Sequence, residues 1–181
     1  MNRGAKLAIL VAAVGAGLVA GLAVRLSGWS EPATPIASAA AAGVASLMAA
    51  QLPDTHGQKQ KLDQWRGQVL VINFWATWCT PCRQEIPEFM KVQEKWASRG
   101  VQVVGIAIDD DDKVRPYAAQ LKINYPILIA GLDGIELARK AGNRLGGLPF
   151  TVILNREGLL ARTQLGGVNE QKLEALVQPL L

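Results

Sequence analysis

The apolar positions along the chain change period in a way that lays out its elements. Residues 69–75, Val-Leu-Val-Ile-Asn-Phe-Trp, form a nearly unbroken apolar and β-branched run. A strand with one wet face would alternate, so this run predicts a strand in the middle of a sheet, buried on both faces. From residue 82 the period lengthens. Ile86, Phe89, Val92 and Trp96 recur at helical spacing, with Arg83, Gln84, Lys91, Glu94 and Lys95 between them, until Gly100 ends the run. That is the pattern of an amphipathic helix, with Pro87 expected to kink it. Residues 101–108, VQVVGIAI, repeat the buried-strand signature, which gives a β-α-β unit with parallel strands and a right-handed crossover.

Further along, the pattern predicts a short helix over 114–121, a strand over 125–130 and a helix over 134–141. Residues 150–154 and 159–165 read as a hairpin around Asn155-Arg156-Glu157-Gly158, and 169–181 as a closing helix capped by Asn169 with Leu173, Leu176 and Val177 facing inward. Upstream, Pro53-Asp54-Thr55-His56-Gly57 marks the turn of a small hairpin. The acids at 109–112 lack the alternate spacing, Gly and distal Glu of a calcium loop and read as a solvated loop. His56, the single histidine, reads as a surface turn residue.

The N-terminal region has a different character. Arg3 and Lys6 precede residues 7–24, an uncharged run of Ala, Val, Leu, Ile and Gly that reaches the lower length of a spanning helix. The layout predicted is a cytoplasmic segment at 1–6, a transmembrane signal-anchor at 7–26, a tether at 27–45 and one exported domain at 46–181. An uncleaved anchor is favoured over a signal peptide, because the Ala37-Ser38-Ala39 match lies far beyond the apolar run. No cysteine follows that run, which excludes a lipoprotein. Three of the 19 basic residues, Arg3, Lys6 and Arg25, fall before residue 46, so the nominal charge of +4 comes half from there and indicates no nucleic-acid surface.

Chemistry concentrates at Cys79-Thr80-Pro81-Cys82, which holds both cysteines of the chain. The pair falls where the buried strand turns into the helix, where free backbone N–H groups and the helix dipole stabilise a thiolate. Pro81 suits the first helical turn, where its missing N–H has no partner to lose. Two cysteines and one histidine are too few for a tetrahedral zinc site. Arg83 stands where haem attachment needs histidine. A peroxidase would need Pro and Thr/Ser where Ile72 and Ala76 stand. A structural disulfide closing so short a loop would gain little. Dithiol/disulfide exchange fits best, the first cysteine attacking and the second resolving.

The stretch Asn73-Phe74-Trp75-Ala76-Thr77-Trp78-Cys79-Thr80-Pro81-Cys82, with Glu85, Pro87 and the later Gly147-Leu148-Pro149, resembles the membrane-tethered, extracytoplasmic thioredoxin-like reductases of bacteria, the TlpA/ResA type. The resemblance covers roughly residues 52–181. It implies an α/β thioredoxin-like fold, a central mixed sheet flanked by helices, with an N-terminal β-hairpin and an inserted helix/strand segment. It also implies Cys79 as exposed nucleophile, Cys82 as resolving thiol and Pro149 as a cis-proline facing the disulfide, with no cofactor or metal. Trp78, Thr80, Pro81 and Leu148 would border the substrate groove with Pro149. Phe150 departs from the threonine the family often carries there. Thioredoxins bury an Asp at the position of Asn73; Glu85 is the candidate replacement as proton acceptor, against the plain alternative of an acid favoured near a helix N-terminus. The implied activity is reduction of protein disulfides outside the cytoplasm, on apocytochrome c cysteine pairs or copper-receiving cysteines, recharged by a transmembrane thiol donor. An oxidase or isomerase of folding proteins, and a tethered binding module or chaperone with a structural disulfide, are the alternatives.

Overall fold

The computed structural model describes residues 35–181. The expected segments at 1–6 and 7–26 and the first part of the tether lie outside the described residues. Among the described residues no helix is long and apolar enough to cross a membrane.

In chain order the elements are α1 (Pro35–Ala49), β1 (Gln51–Pro53), β2 (Lys59–Lys61), β3 (Val69–Trp75), α2 (Thr80–Trp96), β4 (Val101–Ala107), α3 (Asp111–Leu121), β5 (Ile127–Ile129), α4 (Asp133–Lys140), β6 (Phe150–Leu154), β7 (Leu160–Leu165) and α5 (Glu170–Val177). The strands β5-β4-β3-β6-β7 form one mixed sheet, and β1 pairs with β2 in a separate hairpin. β3 is central, parallel to β4 and antiparallel to β6. Every one of its residues is buried. Its side chains divide with the pleat: Val69, Val71 and Trp75 pack with α2, α3 and α5, whereas Leu70, Ile72 and Phe74 pack with α1 and α4. Two covered faces are why its sequence is apolar without alternation. This is the thioredoxin-like arrangement that the resemblance implies.

The helix after the cysteines continues through Pro87 as one element. Asn169 caps α5, its side chain accepting from Lys172 N–H at 2.9 Å. His56 lies exposed in the hairpin turn, where Asp54 Oδ1 accepts from the N–H groups of His56 and Gln58.

Two expectations need correction. The tether does not extend to residue 45 or the folded unit begin at 46: the compact unit spans residues 35–181, and α1 packs Gly43, Val44, Leu47 and Met48 into the core. Alanines supply helix propensity without a visible apolar stripe, so the helix reads as featureless in the sequence. Gly43 has a steric reason: a Cβ there would lie 1.7 Å from the Lys140 carbonyl oxygen at the end of α4. The acid run is not a loop throughout, since Asp111 and Asp112 form the first turn of α3. Their carboxylates there face the positive end of the helix dipole.

Replacing Leu47, fully buried, by alanine should cost about 3 kcal/mol. Gly43→Ala, which must displace backbone, should cost at least as much. Urea denaturation of both variants measures this; unchanged midpoints would return α1 to the status of a tether.

Candidate active site

The chain leaves β3 at Trp75 and turns within four residues to start α2. Cys79 N–H bonds to Ala76 O at 3.2 Å, closing the turn, and Cys79 is the N-cap of the helix. Its Sγ accepts from Cys82 N–H at 3.3 Å. The sulfur that would carry negative charge as a thiolate therefore already occupies the anion position of the helix N-terminus. Pro81 sits in the first turn, as its missing N–H favours. Cys79 and Cys82 form a disulfide. The nucleophile is less open than expected: Cys79 is 6% exposed and Cys82 wholly buried. Cys79 is nonetheless the one of the pair that solvent reaches.

Around the pair, Thr80 and Pro81 are exposed and Trp78 is 66% exposed. Trp75, by contrast, is a core residue. The Leu148-Pro149 bond is cis. Because β6 runs antiparallel to β3 with Phe150 opposite Phe74, Pro149 arrives at the end of β3 from which the cysteine turn springs. Phe150, where the family often carries threonine, turns into the core beside Phe74, ring centroids 6.0 Å apart. Asn143 Nδ2 donates to Gly147 O at 2.8 Å, tying down the approach to Pro149.

Behind the disulfide, Glu85 lies one helical turn beyond Cys82 on the buried face of α2 and is 2% exposed. Asn73 is on the face of β3 that meets α2, and its Nδ2 donates to Glu85 Oε1 at 2.7 Å. Val168 N–H donates to Oε2 at 3.1 Å. Burial raises the Glu85 carboxyl, against these two donors, from the usual carboxylate range to about 7. Burial also pushes the Tyr125 hydroxyl upward, with the Glu85 charge adding to it.

One residue of the site was misread in the sequence. Asp109 belongs to the acid run assigned to a solvated loop, yet it is buried. It accepts from Thr77 N–H at 3.1 Å, from Thr77 Oγ1 and from Asp110 N–H at 2.8 Å. Burial opposes its charge, but the donors from Thr77 and Asp110 outweigh it and hold the carboxyl below its usual range. Asp109 thus ties the end of β4 to the loop carrying Trp78 and Cys79. Its position just past the apolar run that forms β4, the strand parallel to β3, is the sequence signal that separates it from the acids that follow.

A disulfide at a helix N-terminus, beside a cis-proline on a mixed sheet, with a buried carboxyl one turn behind it, defines a thioredoxin-like thiol:disulfide oxidoreductase. Comparison with known proteins agrees: the family model described as AhpC/TSA matches residues 45–163, and the chain belongs to that family. It is 33% identical over 122 residues to the thioredoxin-like protein YneN of Bacillus subtilis, covering 65% of this chain and 68% of that one. It is 27% identical over 128 residues to the thiol-disulfide oxidoreductase ResA of Halalkalibacterium halodurans, covering 70% of each. Among solved structures, a thiol:disulfide interchange protein of the thioredoxin family from Chlorobium tepidum superposes with a TM-score of 0.63 at 27% identity, covering 73% of this chain and 96% of that one.

The raised Glu85 carboxyl has a consequence for stability. A carboxyl near 7 in the folded chain and near 4.5 when unfolded binds more protons in the folded state between those values. Its contribution is therefore present below about pH 4.5 and is lost as the pH rises through about 7. The oxidised protein should lose about 3 kcal/mol of stability across that window. Glu85→Gln should flatten the profile, as read from denaturation midpoints at a series of pH values.

Proposed function

We propose that the protein is a reductase of protein disulfides, held on the outer side of the cytoplasmic membrane by the apolar segment at 7–26. Cys79 thiolate attacks one sulfur of a substrate disulfide, forming a mixed disulfide and releasing the other sulfur as a thiolate that takes up a proton. Cys82 then loses its proton to Glu85 and attacks Cys79 Sγ. The second substrate sulfur leaves, so the substrate gains two electrons as a dithiol and the cysteine pair is left oxidised. A transmembrane thiol donor resets it.

The observation that carries this reading is the pairing of a wholly buried Cys82 with a buried Glu85 one turn along α2, its carboxyl raised to about 7. A resolving thiol shielded from water needs a local proton acceptor, and one poised near neutral pH matches that task. Asn73, in the place of the thioredoxin Asp, cannot take a proton but fixes the carboxylate that can. The basic residues Arg3 and Lys6 before the apolar segment support the extracytoplasmic setting. Cysteine pairs of apocytochrome c or of copper sites in oxidase assembly are the substrates this setting suits.

The reduction potential of the full-length chain, equilibrated in detergent against defined thiol/disulfide buffers, tests the direction. A value near about −270 mV supports a reductant, and one near about −120 mV would make the protein a disulfide donor instead. Cys79→Ser should abolish exchange, whereas Cys82→Ser should accumulate the mixed disulfide seen on non-reducing gels. In single-turnover assays the resolving step should accelerate as the pH rises through about 7. Glu85→Gln should slow it on the order of a hundredfold and remove that pH dependence.

A further inference from the structure

Beside the cysteine turn lies a pocket of about 290 Å³ whose apolar lining combines Trp78 and Leu148 with Leu132, Ile135 and Ala138, which belong to α4 and its N-terminal flank. Two of its lining residues are strongly exposed, Leu132 at 79% and Trp78 at 66%. Two large apolar side chains turned to water in the lining of one concavity mark a contact surface. The volume lies just below the range of small-molecule sites, roughly 300–1,000 Å³, and suits one large side chain rather than a cofactor.

The polar rim is internally paired: Lys113 Nζ lies 2.5 Å from Asp110 Oδ2 and 3.6 Å from Asp109 Oδ1. The pocket thus presents its lysine already neutralised, so charge is not what it selects. It is also preformed. Asp109 fixes Thr77 and hence the Trp78 wall, and Asn143 fixes Gly147 and hence the Leu148 wall. The pocket borders the active-site segments, since two of its lining residues, Trp78 and Leu148, immediately precede Cys79 and Pro149.

We propose that this pocket is a specificity subsite that receives one large apolar side chain of the substrate polypeptide, adjacent in its sequence to the cysteine under attack. The inference rests on the reductase reading above and names what that site selects. Leu132 and Ile135 are its specificity-determining residues, and they belong to the segment inserted between β4 and β6.

Its test uses the reduced full-length chain and three oxidants: two disulfide-bonded peptides differing only in Phe or Gly next to the cysteine, and oxidised glutathione. Rates are read from oxidation of the Cys79/Cys82 pair. Wild type should prefer the Phe peptide to the Gly peptide by about tenfold in kcat/KM, mainly through KM. Leu132→Glu should bring that ratio close to one. Leu159→Glu, an exposed leucine in the β6–β7 connection, serves as a control that should keep it. A wild type indifferent to the neighbouring residue, or a Leu132→Glu variant whose three rates fall by one common factor, would overturn the subsite. A wild type that reduces none of the three oxidants would overturn the reductase reading, and the subsite with it.

Discussion

The carboxylate of Glu85 joins the three parts of the protein that its chemistry needs. Its backbone belongs to α2, one oxygen is held by Asn73 of the central strand, and the other by the backbone of Val168 just before α5. A carboxylate buried without such partners would cost several kcal/mol or stay protonated. With them it sits in a balance that burial tips only partway, so its proton equilibrium falls near neutrality instead of far from it. Sheet, active-site helix and C-terminal helix must all be docked for that balance to exist. The readiness of the resolving cysteine is in this sense a property of the assembled fold.

The same economy of position governs Cys79. Nothing cationic needs to be placed beside it: the helix that begins at Thr80 supplies an N–H from Cys82 at the sulfur, and the preceding turn is closed by one backbone bond to Ala76. Asp109 then restrains the loop from the neighbouring parallel strand. The reactive sulfur is positioned by backbone geometry, which is what an apolar strand running straight into a Pro-initiated helix produces.

Much of this was legible in the residues. β3, β4, β6 and α2 are long or strongly periodic, and their burial on one face or two is written in the spacing of apolar positions. The cysteine pair and Pro149 carry their own signals. Other parts were hidden for physical reasons. α1 is built from alanine, whose propensity is high but whose burial leaves little pattern, and its closest contact depends on a glycine having no side chain. Asp109 looks like its three acidic neighbours until the strand before it is placed beside β3. The donors to Glu85 come from positions 73 and 168, and no local pattern links them. Phe150 departs from the family's threonine, and only the folded sheet shows that its ring belongs to the core.

The antiparallel register of β6 on β3 places Phe150 opposite Phe74 and so fixes Pro149 relative to the cysteine turn. The intervening chain, residues 109–148, has no part in setting that register. Between its two anchors, Asp109 on the cysteine loop and Asn143 on Gly147, it can vary its helices while the sulfur and the proline keep their relation. A lineage carrying this fold could therefore remodel which polypeptides it engages by drift on the outer faces of α3 and α4, leaving the electron-transfer machinery under separate selection.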